Sequence, residues 1–164
     1  MVAIRKSNEE GHRRKFLVVV DDTPECDRAI VYAAKRAART SGIVTLLFVV
    51  APGDFQHWLG VEDIMRAEAT EEAEATLAKA AERVRSVAKT EPETVVREGK
   101  KAEAVLDLIE ADTDIAILVL AAGTGTEGPG PLVSSIAGKS AGNFPIPVTI
   151  VPGNLDDDSI AALA

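Results

Sequence analysis

The chain has 164 residues, enough for one domain with a sizeable core, and 46% of its residues are hydrophobic. Its 26 Asp and Glu residues outnumber its 18 Lys and Arg residues, and the net charge of −8 argues against a binder of duplex DNA or RNA, although a local basic patch is compatible with it. A single cysteine, Cys26, excludes an internal disulfide and a cysteine-rich zinc site, which is typical of a protein from a reducing compartment.

Strands and helices are predicted to alternate along the chain. A continuous apolar run over residues 16–20 predicts a buried first strand. Thr23 and Pro24 then have the residue types of an N-cap and a first helical position. The other predicted strands cover residues 43–50, 94–97, 115–120 and 148–151. The predicted helices cover residues 24–39, 62–89, 101–111 and 132–142.

This alternation predicts one α/β domain with a doubly wound, five-stranded parallel sheet. We expect the strand order 3-2-1-4-5, which makes the junction of strands 1 and 4 the switch point where such sheets bind ligands. The segments after these two strands, residues 21–23 and 121–131, would face each other there. We place the domain at residues 15–152, with a flexible N-terminal tail over 1–14 and an acidic C-terminal tail over 153–164.

A glycine-rich segment follows the fourth predicted strand, where Gly123, Gly125 and Gly128 form a G-x-G-x-x-G motif. Glycines let backbone N–H groups approach phosphate oxygens closely. The motif does not follow the first strand, and Pro129–Pro131 keeps it from leading directly into a helix, which argues against a classical NAD site. We favour a phosphate-contacting loop and keep a glycine connection without a ligand as the alternative.

No sequence pattern points to catalysis or to a metal. His12 and His57 have no Cys or carboxylate partners at metal-ligand spacing, and no base, nucleophile and oxyanion donors form a catalytic arrangement. The longest apolar run, residues 115–122, is shorter than the roughly 20 residues that span a bilayer. We expect a cytoplasmic protein without catalytic or metal-binding residues and without a membrane or nucleic-acid partner.

Both ends of the predicted domain carry motifs of a known family. Val18–Thr23 is similar to the V-A-V-D-G-S opening of the universal stress proteins, with Asp22 in place of the usual glycine. Residues 145–151 match the family's P-C-P-V-L-V-V ending, and residues 46–50 look like its second strand. Residues 15–151 therefore resemble a universal stress protein, which implies a Rossmann-like fold of the adenine nucleotide alpha hydrolase kind and a role in a stress response.

The resemblance also implies a homodimer formed through the last strand and, in one branch of the family, ATP with Mg²⁺ bound between strands 1 and 4. By position, Asp21 would contact the adenosine, Val49 would hold the adenine through its backbone, and Val19 would line the base pocket. A protein of this kind would be a nucleotide-dependent sensor or regulator.

The phosphate loop of that branch reads G-x-x-G, nine residues, then G-[S/T]. Counting back from the last strand aligns its final pair with Ser134 and Ser135, and its first two glycines with Ala121 and Thr124. Because glycines are replaced in this alignment, the phosphate contact would come from a loop built differently. The glycines available for it are Gly123, Gly125, Gly128 and Gly130. Two alternatives stand beside the sensor: a nucleotide-independent dimeric interaction protein of the same fold, and a weak ATP hydrolase.

Overall fold

The computed structural model describes residues 3–52 and 61–164. The strands are Lys15–Val19 (β1), Ile43–Val50 (β2), Glu93–Glu98 (β3), Ile115–Ala122 (β4) and Val148–Pro152 (β5). The longer helices are Cys26–Arg39 (α1), Val61–Ala88 (α2) and Lys101–Ala111 (α3). A short helix over Pro131–Val133 (α4) continues as a π-helix over Ser134–Lys139 and a 3₁₀ turn over Ala141–Asn143, and Asp157–Leu163 forms α5.

The five strands form one parallel sheet in the order β3-β2-β1-β4-β5, which confirms the predicted class and order. β1 pairs with β2 through Val19 and Leu47 and with β4 through Val18 and Val119. The strand order therefore reverses between β1 and β4. Because parallel strands end at the same edge of a sheet, the residues after β1 and β4 emerge side by side at this switch point.

Helices bury both faces of the sheet. α1, α2 and α5 pack on one face, and α3, α4 and the π-helix pack on the other. The two faces alternate along β1, since Phe16 and Val18 pack beneath α1, whereas Leu17 and Val19 pack beneath α3. This double burial explains why the strands read as continuous apolar runs.

The start of α1 differs from the prediction that Thr23 is its N-cap. The helix begins at Cys26 and Glu25 occupies the N-cap position. The backbone N–H and the hydroxyl of Thr23 both donate to Asp21 Oδ1, at 3.0 and 2.5 Å. The Thr23 side chain is thus used in a turn that follows β1, and the helix begins two residues later than predicted.

The predicted helix over residues 132–142 is also wrong as a single element. α4 passes at Ser134 into the π-helix, whose geometry appears in the bond from the Ser140 N–H to the Ser135 carbonyl, and a 3₁₀ turn follows. Gly138 lies within the π-helix and Gly142 within the 3₁₀ turn, and glycine is a poor former of a regular α-helix. The preceding strand, β4, runs two residues further than predicted, so the glycine loop begins only at Gly123.

Both terminal segments contact the domain. The Arg5 guanidinium donates to the carbonyl oxygens of Ile109, Asp112 and Ile115, where α3 ends and β4 begins. In α5, Ile160 is fully buried. The division of the chain at residues 14 and 152 and the flexibility of the N-terminal tail stay predictions. His57 lies outside the described residues. Within residues 3–52 and 61–164, no helix is long and apolar enough to cross a membrane.

Candidate functional site

Asp21 follows β1 at the switch point and is held in place from two directions. Its Oδ1 accepts the two hydrogen bonds from Thr23, and its Oδ2 lies 3.9 Å from the Nζ of Lys101 at the start of α3. The half-buried carboxylate is therefore fixed at the mouth of the site, where it can accept hydrogen bonds from ligand hydroxyl groups.

Val49 presents unused backbone groups beside the end of β1. Two residues earlier, the Leu47 carbonyl accepts a hydrogen bond from the Val20 N–H at 2.7 Å. Because backbone groups alternate sides along a strand, the N–H and C=O of Val49 point the same way, beyond the last residue of β1. Neither group has a hydrogen-bond partner within the described ranges. One donor and one acceptor are thus available to the edge of a planar heterocycle.

Apolar side chains lie next to Asp21 and to the backbone groups of Val49. Val19 is 8% exposed and Val49 is 6% exposed, and both belong to the core cluster between the sheet and α3. Val133, from α4, and Leu120, from β4, belong to the same cluster. The structure therefore places Val19 and Val49 together on one face of the sheet, next to the segment that carries the glycine loop.

The glycine loop over residues 123–130 is folded on itself. The Gly123 N–H donates to the Pro129 carbonyl at 3.0 Å, and the Gly128 N–H donates to the Gly125 carbonyl at 3.2 Å. Gly128 and Gly130 have backbone φ angles of 94° and 112°, which residues other than glycine rarely adopt. The N–H groups of Gly125 and Gly130 have no acceptor in the part of the chain that the structure describes. These two glycine amides are among the donors that the loop can offer to an anion.

Ser134 and Ser135 follow the loop at the start of the π-helix. The Ser134 N–H donates to the Gly130 carbonyl at 3.0 Å, and the Ser135 carbonyl accepts from the Ser140 N–H at 3.1 Å. Neither hydroxyl has a partner among the described residues. Both serines lie at the start of a π-helix, separated from the loop only by α4, and π-helical turns are frequent at functional sites.

Two residues that sequence reasoning missed pack against the loop. A Cβ on Gly123 would lie 3.1 Å from Oε1 of Glu25, and a Cβ on Gly153 would lie 2.4 Å from the Ala122 carbonyl oxygen and 3.0 Å from the Glu25 Cβ. The Glu25 side chain thus runs across the ends of β4 and β5. Gly153 could have been identified from its position directly after the predicted last strand. Nothing in the sequence marks Glu25 as a residue of the site.

A pocket of about 350 Å³ opens on the opposite side of the Asp21 turn, between α1 and α2. It shares Asp21 with the candidate site, but no glycine of the loop lines it. Cys26 lines it, and burial raises the pKa of this thiol to about 11, so the thiol stays protonated at neutral pH. Within residues 3–52 and 61–164, no group of three His, Cys, Asp or Glu side chains could hold a metal ion.

Comparison with known proteins places this architecture in a family. The sequence profile of the Universal stress protein family matches residues 12–152. No curated protein matches the chain. Among solved structures, the universal stress protein UspA from Lactobacillus plantarum is similar, with a TM-score of 0.68 and 18% identity over 84% of this chain and 97% of that one.

Two further similar structures are described with nucleotides. A universal stress protein in complex with cAMP has a TM-score of 0.63 and 18% identity over 86% of this chain and 98% of that one. A universal stress protein family protein from Arabidopsis thaliana with AMP bound has a TM-score of 0.56 and 14% identity over 88% of this chain and 94% of that one. At these identities the structures show a shared fold, while the profile match shows the family. The chain belongs to the universal stress protein family.

Proposed function

We propose that this protein binds an adenine nucleotide in the crevice between the ends of β1 and β4 and acts as a nucleotide-dependent sensor or regulator in a stress response. The observation that carries the proposal is the unpaired N–H and C=O of Val49 beyond the end of β1. An adenine edge offers a matching acceptor and donor. The cAMP and AMP bound by two proteins of similar fold support the choice of base.

Each part of the nucleotide has a proposed place. The adenine lies over Val19 and hydrogen-bonds the Val49 backbone, and Asp21 accepts hydrogen bonds from the ribose hydroxyls, as acidic residues do in other doubly wound folds. The phosphate lies at the glycine loop. The residues proposed to form this phosphate site are Gly123, Gly125, Gly128, Gly130, Ser134 and Ser135. Gly123 and Gly128 shape the loop through their internal hydrogen bonds, and the other four donate to the phosphate.

The glycine loop suits a nucleotide with one phosphate better than it suits ATP with Mg²⁺, the ligand that the family resemblance implies. The amides of Gly123 and Gly128 are engaged within the loop. The carboxylate of Glu25 lies against Gly123, and a fixed negative charge disfavours a second anion nearby. We therefore expect AMP or cAMP to bind more tightly than ATP.

The proposed homodimer involves β5, one of the two edge strands of the sheet. Ile150 in β5 is 38% exposed, and an apolar groove of about 240 Å³ runs beside it, lined in part by Ile136 and Ile146. An exposed apolar edge strand is a template for pairing with another chain. We propose a cytoplasmic homodimer in which β5 pairs with its copy.

A second candidate is a dimeric interaction protein that works without nucleotide. The internal hydrogen bonds from the Gly123 and Gly128 amides favour it, because they close the glycine loop without a phosphate. The two candidates differ in whether the crevice binds any adenine nucleotide at millimolar concentration.

The first prediction tests the role of Asp21 by isothermal titration calorimetry with AMP. We expect saturable binding to the wild type and about tenfold weaker binding to Asp21→Asn, because a hydrogen bond to a charged group contributes about 1.5–3 kcal/mol. Asp22→Asn, which changes the exposed neighbouring carboxylate, should stay within about twofold of the wild type. Absence of binding by AMP, cAMP and ATP at millimolar concentration would contradict the sensor and favour the nucleotide-independent protein.

A further inference from the structure

A second polar pocket lies at the opposite edge of the sheet, where β1 begins and α1 ends. Its volume is about 410 Å³, and its lining includes Ser7, His12, Arg13, Arg14 and Thr40. Both arginines belong to the basic part of the N-terminal segment. The pocket therefore collects positive charge at one edge of a chain whose net charge is −8.

Arg14 lacks an acceptor for its guanidinium. The side chain is half-buried and stacks over the Phe16 ring, with 5.7 Å between its Cζ and the ring centroid. Its Nε is buried and has no hydrogen-bond partner, and no carboxylate pairs with the group within the described ranges. The two terminal nitrogens are not among the buried atoms that lack a partner, so they stay accessible to solvent. A half-buried guanidinium without a counter-charge, open on this side, can pair with an anion that enters the pocket.

Arg13 is fixed beside it by two backbone carbonyl groups. Its Nε donates to the Ser41 carbonyl at 3.1 Å, and one terminal nitrogen donates to the Gly42 carbonyl at 2.9 Å. These bonds use two of the five guanidinium N–H groups. They also neutralise carbonyl groups near the end of α1 that would otherwise repel an anion. The remaining donors of Arg13 have no acceptor among the described residues.

Ser7 adds a hydroxyl at the wall of the pocket. The residue as a whole is 7% exposed, and its hydroxyl has no hydrogen-bond partner in the described part of the chain. The hydroxyl oxygen is not among the buried atoms that lack a partner, so it stays accessible from the pocket. It can therefore donate to a ligand oxygen bound there.

The acidic residues nearby do not neutralise the pocket. Asp114 accepts from His12, at 2.7 Å from its Nδ1. Glu9 and Glu10 are exposed and form no ion pair with Arg13 or Arg14. We propose that this pocket is an anion site that binds a phosphate-type dianion through the guanidinium groups of Arg13 and Arg14 and the hydroxyl of Ser7. Arginine suits this ligand because its planar fork matches tetrahedral oxyanions.

The test is an ¹H–¹⁵N NMR titration at constant ionic strength with inorganic phosphate in one arm and glycerol 3-phosphate in another. We expect saturable shifts of the Arg14 Nε–H and of the Ser7 and Ser41 amides. Arg14→Gln should weaken the affinity read from these signals at least tenfold. Lys79→Gln, which removes one exposed positive charge on α2, should change it less than twofold. Tighter binding in the phosphate arm identifies the free ion as the ligand, and tighter binding in the ester arm identifies a phosphate monoester.

Three results would overturn the proposal. The first is a wild type whose Arg14 and Ser7 signals do not shift. The second is equal weakening by Arg14→Gln and Lys79→Gln, which would mean general charge attraction. The third is shifts confined to residues 123–130. If Arg14→Gln does not give a dispersed spectrum, Arg14→Lys replaces it, since it keeps the charge, loses the fork and should still weaken binding severalfold.

Discussion

Glu25 is the residue that we expect to decide which adenine nucleotide the crevice prefers. Its carboxylate lies against Gly123, at the beginning of the glycine loop. We predict that Glu25→Gln tightens ATP binding five- to tenfold relative to AMP binding, because removing one nearby negative charge favours the more highly charged ligand by about 1 kcal/mol. Calorimetric titration of both nucleotides into both proteins measures the ratio of dissociation constants.

Glu127→Gln is the matched control for this charge effect. Glu127 lies in the same loop but is exposed, so solvent screens its charge and the ATP-to-AMP ratio should change less than twofold. Equal ratios in the wild type and in Glu25→Gln, with both nucleotides binding, would show that the Glu25 charge does not select the ligand.

Helix α5 is attached to the domain by an ion cluster. Asp27 in α1 accepts hydrogen bonds from Arg83 of α2 and from Arg28, and both arginines also contact Asp157 of α5. Burial alone would raise the pKa of Asp27, but the hydrogen bonds from Arg83 and Arg28 outweigh it and lower this pKa. A carboxyl group whose pKa is lowered by folding stabilises the protein above its unfolded-state pKa, and this stability is lost as the pH falls through the folded-state pKa.

We therefore predict that Asp27→Asn lowers the free energy of unfolding by about 1 kcal/mol at pH 7. The difference from the wild type should begin to shrink below about pH 4, where the carboxyl group of the unfolded chain takes up a proton, and should be lost below the lowered pKa of the folded state. Urea unfolding at pH 7 and pH 3 measures both values. Glu91→Gln, which breaks the fully exposed pair with Arg85, serves as the control and should leave stability unchanged. An Asp27→Asn effect of the same size at both pH values would show that packing, and not charge, holds the cluster.

The elements differ in how well their sequence predicts them. β2 and α3 have the bounds that apolar periodicity predicts, because burial on one or both faces fixes the pattern. The start of α1 was mispredicted because Asp21 competes for the Thr23 hydroxyl, a contact that N-cap statistics do not include. The single helix over 132–142 failed in the region of Gly138 and Gly142. The alignment of the phosphate loop by residue count stays a prediction.

At the scale of the whole molecule, the exposed edge strand leads us to predict a dimer. The wild type should sediment as a dimer at micromolar concentration, and Ile150→Lys should sediment as a monomer, because two lysines would be buried in one apolar interface. Leu106→Lys on α3 is a matched control, since Leu106 is 39% exposed and Ile150 is 38% exposed. A monomeric wild type, or a monomer caused by Leu106→Lys alone, would contradict pairing through β5.

The strand order and the family could be predicted from the sequence, because the alternation of elements and the motifs at both ends are local signals. The candidate site was predicted less completely. Asp21 was assigned from its position at the switch point and from the family resemblance, and Val49 from the resemblance alone; both stay predictions as site residues. Glu25 and Gly153 make contacts between distant segments. Contacts of this kind depend on the packed structure and leave no periodic trace in the sequence.

The central claim is that the crevice at the ends of β1 and β4 binds an adenine nucleotide. An ¹H–¹⁵N NMR titration of the isotopically labelled protein with AMP tests it most directly, because it reports where the ligand binds. We predict saturable shifts at Val49, Asp21 and Gly125, with little change at Thr76 and Lys79 in the pocket between α1 and α2. Shifts confined to Thr76 and Lys79, or no shifts with millimolar AMP, would contradict the account.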